Sequence, residues 1–316
     1  MSEAVIKTHN LTKQFGSETA VQSLSFDIPK GSIFGFIGPS GCGKTTTVRL
    51  LTGLYWPTVG EVTVLGEVPS HFSRATRAKI GYLPQLFVLY DDLNVWENMN
   101  FVASLYGVGF ISRRKRLVEL LSFVELLDDK RKLVRDLSGG MRRRLSLAAT
   151  LIHDPTLLFL DEPTAGIDPV LRRKFWDHFK VLQEEGHTLF VTTQYVGEAA
   201  YCDYVGILDQ GELLMVETPD DLRQRAFGGE AVNLRLVHYL PHDLLTELRT
   251  LPFVKGPVTH SGDRDFQIVV GEANKAIPLV LEWCQEKNAE VESIEKYLPP
   301  FDDVFVKLIK DRQQNG

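Results

Sequence analysis

Along residues 1–220, short apolar runs alternate with longer segments in which hydrophobic residues recur at helical spacing. The runs at 33–37, 157–160 and 188–193 have the length and the aliphatic and aromatic content of buried strands. The stretch at 170–184 instead carries apolar residues three and four positions apart, as an amphipathic helix does. Strands that alternate with helices in this way predict an α/β domain with a mixed sheet at its core.

Three segments depart from this alternation. Residues 4–30 change polarity at every second position, which indicates a pair of antiparallel strands. Residues 94–135 carry apolar positions at helical spacing with charges between them, which indicates inserted helices. From about Glu230 onward, short strands and helices predict a small split β-α-β layer. The expected divisions are a large domain at 1–225, its helical subdomain at about 86–150, and a small α+β domain at 226–316.

One glycine-rich turn joins an apolar strand to the start of a helix. Its residues are Gly38, Pro39, Ser40, Gly41, Cys42, Gly43, Lys44, Thr45 and Thr46. Glycines let the backbone amides of such a turn point inward around a phosphate, and the helix amino terminus adds its positive dipole end. Lys44 is placed to reach the outer phosphates, and Thr45 offers a hydroxyl group to Mg²⁺. This spacing predicts a site for a nucleoside triphosphate.

A pair of carboxylates follows the apolar run at 157–160. Because α/β folds bind ligands at the carboxyl ends of their parallel strands, we expect Asp161 and Glu162 beside the phosphate site. Asp161 suits a contact with Mg²⁺, either directly or through water. Glu162 is placed to polarise an attacking water molecule, so the pair predicts hydrolysis of the bound nucleotide.

Other motifs are less specific. Ser138, Gly139 and Gly140 open a helix and form a second candidate anion site, by the same argument from amides and dipole. The arginines at 142–144 indicate either a nucleic-acid patch or, more simply, a solvated helix face that meets acidic neighbours. Phe15, one residue before a turn glycine, belongs either to a hydrophobic core or to a surface that stacks on a purine.

Charge and cysteine content narrow the class of protein. The net charge of −6 argues weakly against a nucleic-acid-binding protein, although it says nothing about local patches. Three scattered cysteines predict neither a disulfide framework nor a zinc site. We expect Cys42, among loop amides and next to Lys44, to have thiolate character and to be sensitive to alkylation. The polar amino-terminal stretch predicts no signal peptide, and no apolar run reaches membrane-spanning length.

The order of these motifs resembles the nucleotide-binding subunit of an ATP-binding-cassette (ABC) transporter. The resemblance covers residues 1 to about 220 and rests on the phosphate loop, Gln85 after a strand, residues 137–140, the Asp161–Glu162 strand and residues 165–168. It implies a P-loop cassette with a mixed sheet core, an antiparallel β subdomain and an inserted helical subdomain. Residues 299–308 also look like the ending of ATPases that serve ABC-2 exporters of drugs, lipids or polysaccharides.

This resemblance implies ATP and Mg²⁺ as cofactors and a head-to-tail dimer, with itself or with a related cassette, around two ATP molecules. Phe15 would stack on adenine, Gln85 would sense Mg²⁺, and Glu162 would be the general base. The residues expected to act on the partner's ATP are Ser138, Gly139, Gly140 and, in coupling the two sites, Asp168. The cassette would be cytoplasmic, peripheral on the inner face of the membrane through a separate permease bound at its helical insertion. No nucleic-acid partner is expected.

One position departs sharply from the family pattern. Gln194 stands where the family has a histidine that faces the γ-phosphate. A glutamine amide donates a hydrogen bond but carries no positive charge, so we expect a slow but real ATPase. Met141, where glutamine is usual, is expected to matter little. Two alternatives stay open from the sequence: a soluble cassette protein of DNA repair or ribosomes, and an ATP-dependent clamp with little hydrolysis.

Overall fold

A computed structural model describes residues 3–86, 88–260 and 262–315 of the chain. The chain divides into two compact units, Met1–Val216 and Glu217–Gly316, and each has its own hydrophobic core. The predicted boundary after residue 225 falls inside a helix of the second unit, α7 (Pro219–Phe227). This helix contacts the closing helix α10 (Phe301–Asn315), where Arg223 lies over the Phe301 ring at 4.1 Å. The second unit therefore begins before α7.

The first unit contains a sheet with the strand order β4-β1-β2-β9-β8-β3-β7-β6-β5. The strands are β1 (Ala4–Phe15), β2 (Glu18–Pro29), β3 (Ile33–Ile37), β4 (Val59–Val64), β5 (Ile80–Leu83), β6 (Leu157–Asp161), β7 (Thr188–Thr193), β8 (Tyr204–Asp209) and β9 (Glu212–Glu217). β1 pairs antiparallel with β2 and β4, whereas β5, β6, β7, β3 and β8 form a parallel block. This confirms the predicted mixed sheet with an antiparallel portion.

The α-helices of the first unit are α1 (Lys44–Leu51), α2 (Arg74–Arg77), α3 (Val95–Leu105), α4 (Phe110–Phe123), α5 (Gly139–Thr150) and α6 (Pro169–Glu184). Three of them, α3 to α5, lie between β5 and β6 in the chain and form the predicted helical insertion. The insertion begins at a capping box, in which the Asn94 side chain accepts from the Glu97 amide at 2.8 Å and the Glu97 carboxylate accepts from the Asn94 amide at 2.9 Å. Among all described residues, no helix is long and apolar enough to cross a lipid bilayer.

An aromatic core lies where the central strands run side by side. Its rings belong to Phe26, Phe34, Phe36, Phe159 and Phe190, with neighbouring centroids 5.4–6.4 Å apart. Every side chain of β3, β6 and β7 is buried, which explains their continuous apolar runs. Thr192 of β7 pairs with Phe36 of β3 and with Asp161 of β6. The three strands therefore end at the same level, and the residues that follow them share one edge of the sheet.

The second unit contains β10 (Glu230–Leu236), α8 (His242–Leu248), β11 (Val254–His260), β12 (Asp265–Val270), α9 (Ala273–Glu286) and β13 (Val291–Tyr297). Its antiparallel sheet has the order β11-β12-β10-β13, the split β-α-β arrangement expected from the sequence. Strand β11 was not predicted. It contains Gly256 and Pro257, which are turn signals in a sequence pattern, and it tolerates them because it lies at the sheet edge.

Candidate functional site

The glycine-rich turn forms a tight loop between β3 and α1. Gly43, at φ +107°, caps α1, and a Cβ atom there would lie 2.6 Å from the Ala20 carbonyl oxygen. A Cβ atom on Gly38 would lie 2.1 Å from the Leu208 carbonyl oxygen, so neither position accepts a side chain. The Lys44 ammonium donates to the carbonyl oxygens of Gly38 at 2.8 Å and Pro39 at 3.0 Å. The Lys44 ammonium is therefore held inside the loop that is expected to bind phosphate.

Asp161 lies fully buried at the end of β6. Its Oδ1 atom accepts from the hydroxyl groups of Thr45 at 3.3 Å and Thr192 at 2.5 Å. Its Oδ2 atom is also buried and has no hydrogen-bond partner among the described residues. An unpaired buried carboxylate oxygen is costly, so this atom is suited to a cation or its water ligand. Asp161 and Thr45 were predicted from contiguous motifs, whereas Thr192 was not, because its contact with Asp161 depends on strand register.

Glu162 follows directly and takes an unusual backbone conformation, with φ at +50°. Its amide donates to both the carbonyl and the hydroxyl oxygen of Thr192 at 3.1 Å. Its Oε1 atom lies 3.7 Å from the Lys44 ammonium, and both side chains are nearly buried. A left-handed conformation outside glycine is unfavourable and is typical of functional sites. The surroundings of Glu162 thus hold its carboxylate beside the phosphate loop.

An open cleft of about 510 Å³ lies above these residues. It is lined by Phe15, Glu18, Thr19, Ala20, Ser40, Gly41, Gly43, Lys44, Thr45, Thr46, Gln85, Glu162, Gln210 and Gly211. Phe15 is 44% exposed and makes an edge contact with Tyr55 at 5.3 Å between centroids, so it is not a core residue. An exposed aromatic ring at a cleft is able to stack on a base, so this interpretation of Phe15 stays a prediction.

Gln194 lies just beyond the end of β7, opposite the phosphate loop. Its Oε1 atom accepts a hydrogen bond from the Ser40 hydroxyl at 3.2 Å. Gln194 does not itself line the cleft, but Ser40 does. Because the amide oxygen accepts from Ser40, the amide nitrogen is the group of Gln194 that remains to donate a hydrogen bond. A histidine would supply a ring nitrogen, and when protonated a full charge, at the same place.

Two motifs stand outside this cleft in the described chain. Ser138 caps α5 by accepting from the Met141 amide at 3.3 Å. Asp168 caps α6 by accepting from the amides of Val170 and Leu171 at 3.1 and 3.0 Å. Ser138, Gly139, Gly140 and Asp168 are not among the cleft-lining residues. Asp161 and Gln194 do not line the cleft either, but hydrogen bonds join them to Thr45 and Ser40, which do. A Cβ atom on Gly139 would meet no heavy atom within 4 Å, so this helix start is open to a second molecule.

The expectation for Cys42 is wrong. Its side chain is only 4% exposed and joins the hydrophobic core, with the thiol 2.7 Å from where a Gly38 Cβ atom would lie. Burial raises the pKa of the Cys42 thiol, and the nearby charge of Lys44 lowers it by less. The neutral thiol is therefore favoured, and alkylation is expected to be slow in the folded protein. Only the backbone of Cys42 is available to a phosphate.

The three arginines after the glycine pair have separate environments. Arg142 and Arg144 meet acidic neighbours, Asp91 at 3.3 Å and Glu125 at 3.6 Å, as the simpler interpretation expected. Arg143 is instead buried, which the sequence analysis missed. Helical spacing could have revealed this burial. Arg143 lies three residues before Ser146 and four before Leu147, and both of these are on the buried face of α5.

Comparison with known proteins decides the family. A family model described as ABC transporter matches residues 21–165. The linearmycin resistance ATP-binding protein LnrL of Bacillus subtilis is 33% identical over 305 residues, which are 96% of this chain and 98% of that protein. This chain belongs to the ABC transporter family. The daunorubicin resistance ATP-binding protein DrrA3 of Streptomyces coeruleorubidus is also similar to this ABC protein, 35% identical over 98% of each chain.

Solved structures agree with this assignment. One, described as the ATP binding subunit of an ABC transporter, covers 71% of this chain and 93% of its own, with a TM-score of 0.65 and 25% identity. Another is a dimeric ATP-binding cassette in a post-hydrolysis state bound to ADP and Pi. It covers 67% of this chain and 98% of its own, with a TM-score of 0.62 and 28% identity. The chain is an ATP-binding and ATP-hydrolysing subunit of an ABC transporter, a family whose ATPase subunits dimerise and work with membrane permeases.

Proposed function

We propose that this ABC ATPase drives export through a separate permease, as one half of a head-to-tail pair on the cytoplasmic face of the membrane. The observation that carries the pairing is the division of the phosphate-binding motifs. One cleft contains the phosphate loop, Glu162 and Gln85, whereas Ser138, Gly139 and Gly140 open a helix elsewhere in the described chain. A second cassette, identical or related, would bring its Ser138–Gly140 helix start to this cleft, with Asp168 coupling the two sites.

Magnesium is the proposed partner of ATP in the cleft. The group fits because the buried Oδ2 atom of Asp161 lacks a protein partner and the Thr45 hydroxyl lies beside the same carboxylate. Mg²⁺ is usually held by one or two carboxylates together with substrate phosphates, and when bound it neutralises charge on those phosphates. Gln85, which lines the cleft, would sense the ion and link it to the helical insertion.

The adenine end of the cleft is proposed to be Phe15. The ring is exposed, and the Lys13 ammonium lies 5.1 Å from its centroid, which fixes one side of the ring with a cation–π contact. Stacking of a base on an aromatic ring is sequence-tolerant and contributes about 1–3 kcal/mol. Phe15 would therefore contribute affinity for the nucleotide and take no part in the chemistry.

The export direction rests on relatives that match nearly the whole chain. Two of them are named for resistance to linearmycin and daunorubicin. A third, Nod factor export ATP-binding protein I of Ralstonia nicotianae, is 34% identical over 97% of this chain and 94% of that protein. Because these matches include the second unit, we propose that this unit is an accessory domain that such exporter ATPases share.

A permease surface is proposed on the helical insertion. Large apolar side chains are exposed just after Gln85 and along α3, among them Leu86 (77%), Val88 (74%) and Leu105. Exposed apolar side chains are typical of interaction surfaces, and Leu86 and Val88 follow Gln85, which lines the ATP cleft, within three residues. A permease bound there would be displaced when the loop at Gln85 moves during ATP hydrolysis.

Replacing both Leu86 and Val88 by aspartate is expected to release the ATPase from membranes of cells that produce its permease. Each side chain contributes about 1.5–3 kcal/mol when buried, so the membrane-retained fraction should fall by more than about tenfold. The fraction is measured by quantitative blotting of washed membranes. Leu54→Asp, on a residue that is 60% exposed and lies outside the insertion, is the control and should leave retention unchanged. Equal retention of the double variant and the control would contradict this surface.

Gln194→His is expected to raise ATP turnover by about tenfold. A hydrogen-bond donor that stabilises charge in the transition state typically raises the rate by 10²–10³-fold, and the glutamine amide already provides part of this stabilisation. ATP affinity should stay unchanged, since the gain arises in the transition state. Steady-state hydrolysis by the purified chain measures the turnover, and equilibrium binding of a fluorescent ATP analogue measures the affinity. Gln194→Ala, which removes the donor, should be slower than wild type, and unchanged turnover in the histidine variant would refute this role.

A further inference from the structure

Arg143 makes an unusual set of contacts in the core of the first unit. Its side chain is 3% exposed and reaches from the first turns of α5 toward the ends of β5 and β6. The five carbonyl oxygens that accept from its guanidinium group belong to Pro84, Gln85, Asp161, Glu162 and Pro163. Nη1 donates to Pro84 at 2.7 Å and Gln85 at 3.1 Å, and Nη2 donates to Asp161 and Glu162. Five N–H groups thus meet five backbone acceptors.

A buried charge of this kind needs compensation. Burial lowers the pKa of the Arg143 guanidinium, while the carboxylates of Asp161 and Glu162 raise it by less. No carboxylate oxygen pairs with it directly among the contacts found in the described residues. The neighbouring Arg144, whose side chain is 17% exposed, differs in pairing with a carboxylate, that of Glu125 at 3.6 Å. Only the fork of an arginine can reach all five acceptors at once.

The contacts join three segments of the catalytic site. The carbonyl oxygens of Pro84 and Gln85 belong to the loop that enters the helical insertion. Those of Asp161 and Glu162 belong to the segment that carries the proposed cation ligand and general base. Arg143 itself lies on the helix that begins at Gly139. Movement of either carbonyl-bearing segment relative to α5 would break its hydrogen bonds to Arg143.

Arg143 also helps to hold Glu162, the proposed general base, in its left-handed backbone conformation. Thr192 holds the Glu162 amide, and Arg143 holds the Glu162 carbonyl group. These two partners hold the backbone of Glu162 at φ +50°, and the carboxylate extends from this backbone to within 3.7 Å of the Lys44 ammonium. A general base must lie within hydrogen-bond reach of its water, and a shift of 1 Å costs about 10²-fold in rate.

We propose that Arg143 is a positioning residue for ATP hydrolysis, which fixes Glu162 and ties its orientation to the Gln85 loop and to helix α5. Among the hydrogen bonds and ion pairs of the described residues, none joins Arg143 to Lys44 or to the loop glycines, so loss of Arg143 should leave the phosphate loop intact. Its effect should therefore appear in turnover and not in nucleotide affinity.

The test compares Arg143→Gln and Arg143→Lys with Arg144→Gln in the full-length protein. We expect kcat to fall by about 10²-fold in the glutamine variant and by about tenfold or more in the lysine variant, which keeps the charge but not the fork. Affinity for a fluorescent ATP analogue should stay within about threefold of wild type. Hydrogen exchange at 84–86 and 161–166 should become faster in both Arg143 variants and remain unchanged in Arg144→Gln.

Three outcomes would overturn the proposal. The first is a folded Arg143→Gln with kcat near that of wild type. The second is a parallel loss of kcat, ATP affinity and thermal stability in both Arg143 variants, including failure of both to fold, which would assign the residue to stability alone. The third is reduced kcat without faster exchange in the two segments, since the proposed coupling acts through them.

Discussion

Glu162→Gln is expected to reduce ATP turnover by at least about 10²-fold while leaving ATP binding intact. General base catalysis contributes 10²–10⁴ in rate, and a glutamine amide cannot accept the proton of the attacking water. The amide is nearly isosteric with the carboxylate, so the positive-φ backbone and its contacts to Thr192 remain possible. The measurements are hydrolysis under saturating ATP and equilibrium binding of a fluorescent ATP analogue.

The structure supplies a matched control for this prediction. Glu184 is an exposed carboxylate at the end of α6, and Glu184→Gln removes the same charge far from any ligand contact. It should keep the wild-type rate. Hydrolysis by Glu162→Gln within about tenfold of wild type would show that another group activates water, because loss of the true base cannot be so mild. Loss of ATP binding would show that the carboxylate acts in binding as the partner of Lys44 instead.

Mixing two inactive variants, Lys44→Ala and Ser138→Arg, is expected to restore ATP turnover. Each variant alone should lose about 10²-fold or more in rate, since both remove groups that stabilise the phosphates. In a head-to-tail pair, however, each site uses Lys44 of one subunit and Ser138 of the other. A mixed pair would then combine both damaged groups in one site and leave the other site complete. We expect the mixture to hydrolyse ATP well above the rate of either variant alone.

A second mixture provides the control. Lys44 and Glu162 lie 3.7 Å apart in the same cleft, so they serve the same site of the same chain. Mixing Lys44→Ala with Glu162→Gln damages both sites of the mixed pair and should restore nothing. Restoration in neither mixture would contradict a pair of identical chains in which Ser138 acts on the partner's ATP. Restoration in both would show that the sites are not divided between subunits in this way.

Lys44→Ala also tests how the loop is held together. The lysine and Glu162 form a nearly buried ion pair, and removal of one member of such a pair typically costs 3–5 kcal/mol. The loop carbonyl oxygens of Gly38 and Pro39 would lose their donor as well. Urea unfolding of each variant must therefore precede the mixing experiment, so that only folded chains are compared.

Local sequence was sufficient to predict those features whose residues are contiguous in the chain. The glycine-rich loop and the Asp161–Glu162 pair were predicted because glycine positions, a lysine and a strand end are visible as contiguous patterns. The same is true of the helical insertion and of the split β-α-β layer, whose apolar periods are regular. Strand β11 escaped because Gly256 and Pro257 interrupt its pattern.

The environment of single side chains was not predictable in the same way. Cys42 was expected to react as a thiolate, but its side chain turns into the core beneath the loop, where burial favours the neutral thiol. Arg143 was grouped with Arg142 and Arg144, which are half-buried and pair with carboxylates, although it is itself buried against five carbonyl groups. Both errors came from treating residues adjacent in sequence as if they shared one environment.

The sequence by itself determined that this protein has a phosphate loop, a carboxylate strand end and a two-part chain, because each depends on residues within one short segment. Only the tertiary structure decided that Thr192 holds Asp161 and Glu162, that Gln194 turns its oxygen to Ser40, and that Arg143 joins three segments. These contacts join residues 18 to 154 positions apart. They follow from the register of parallel strands and from which helix face is buried, and these are properties of packing that no single segment contains.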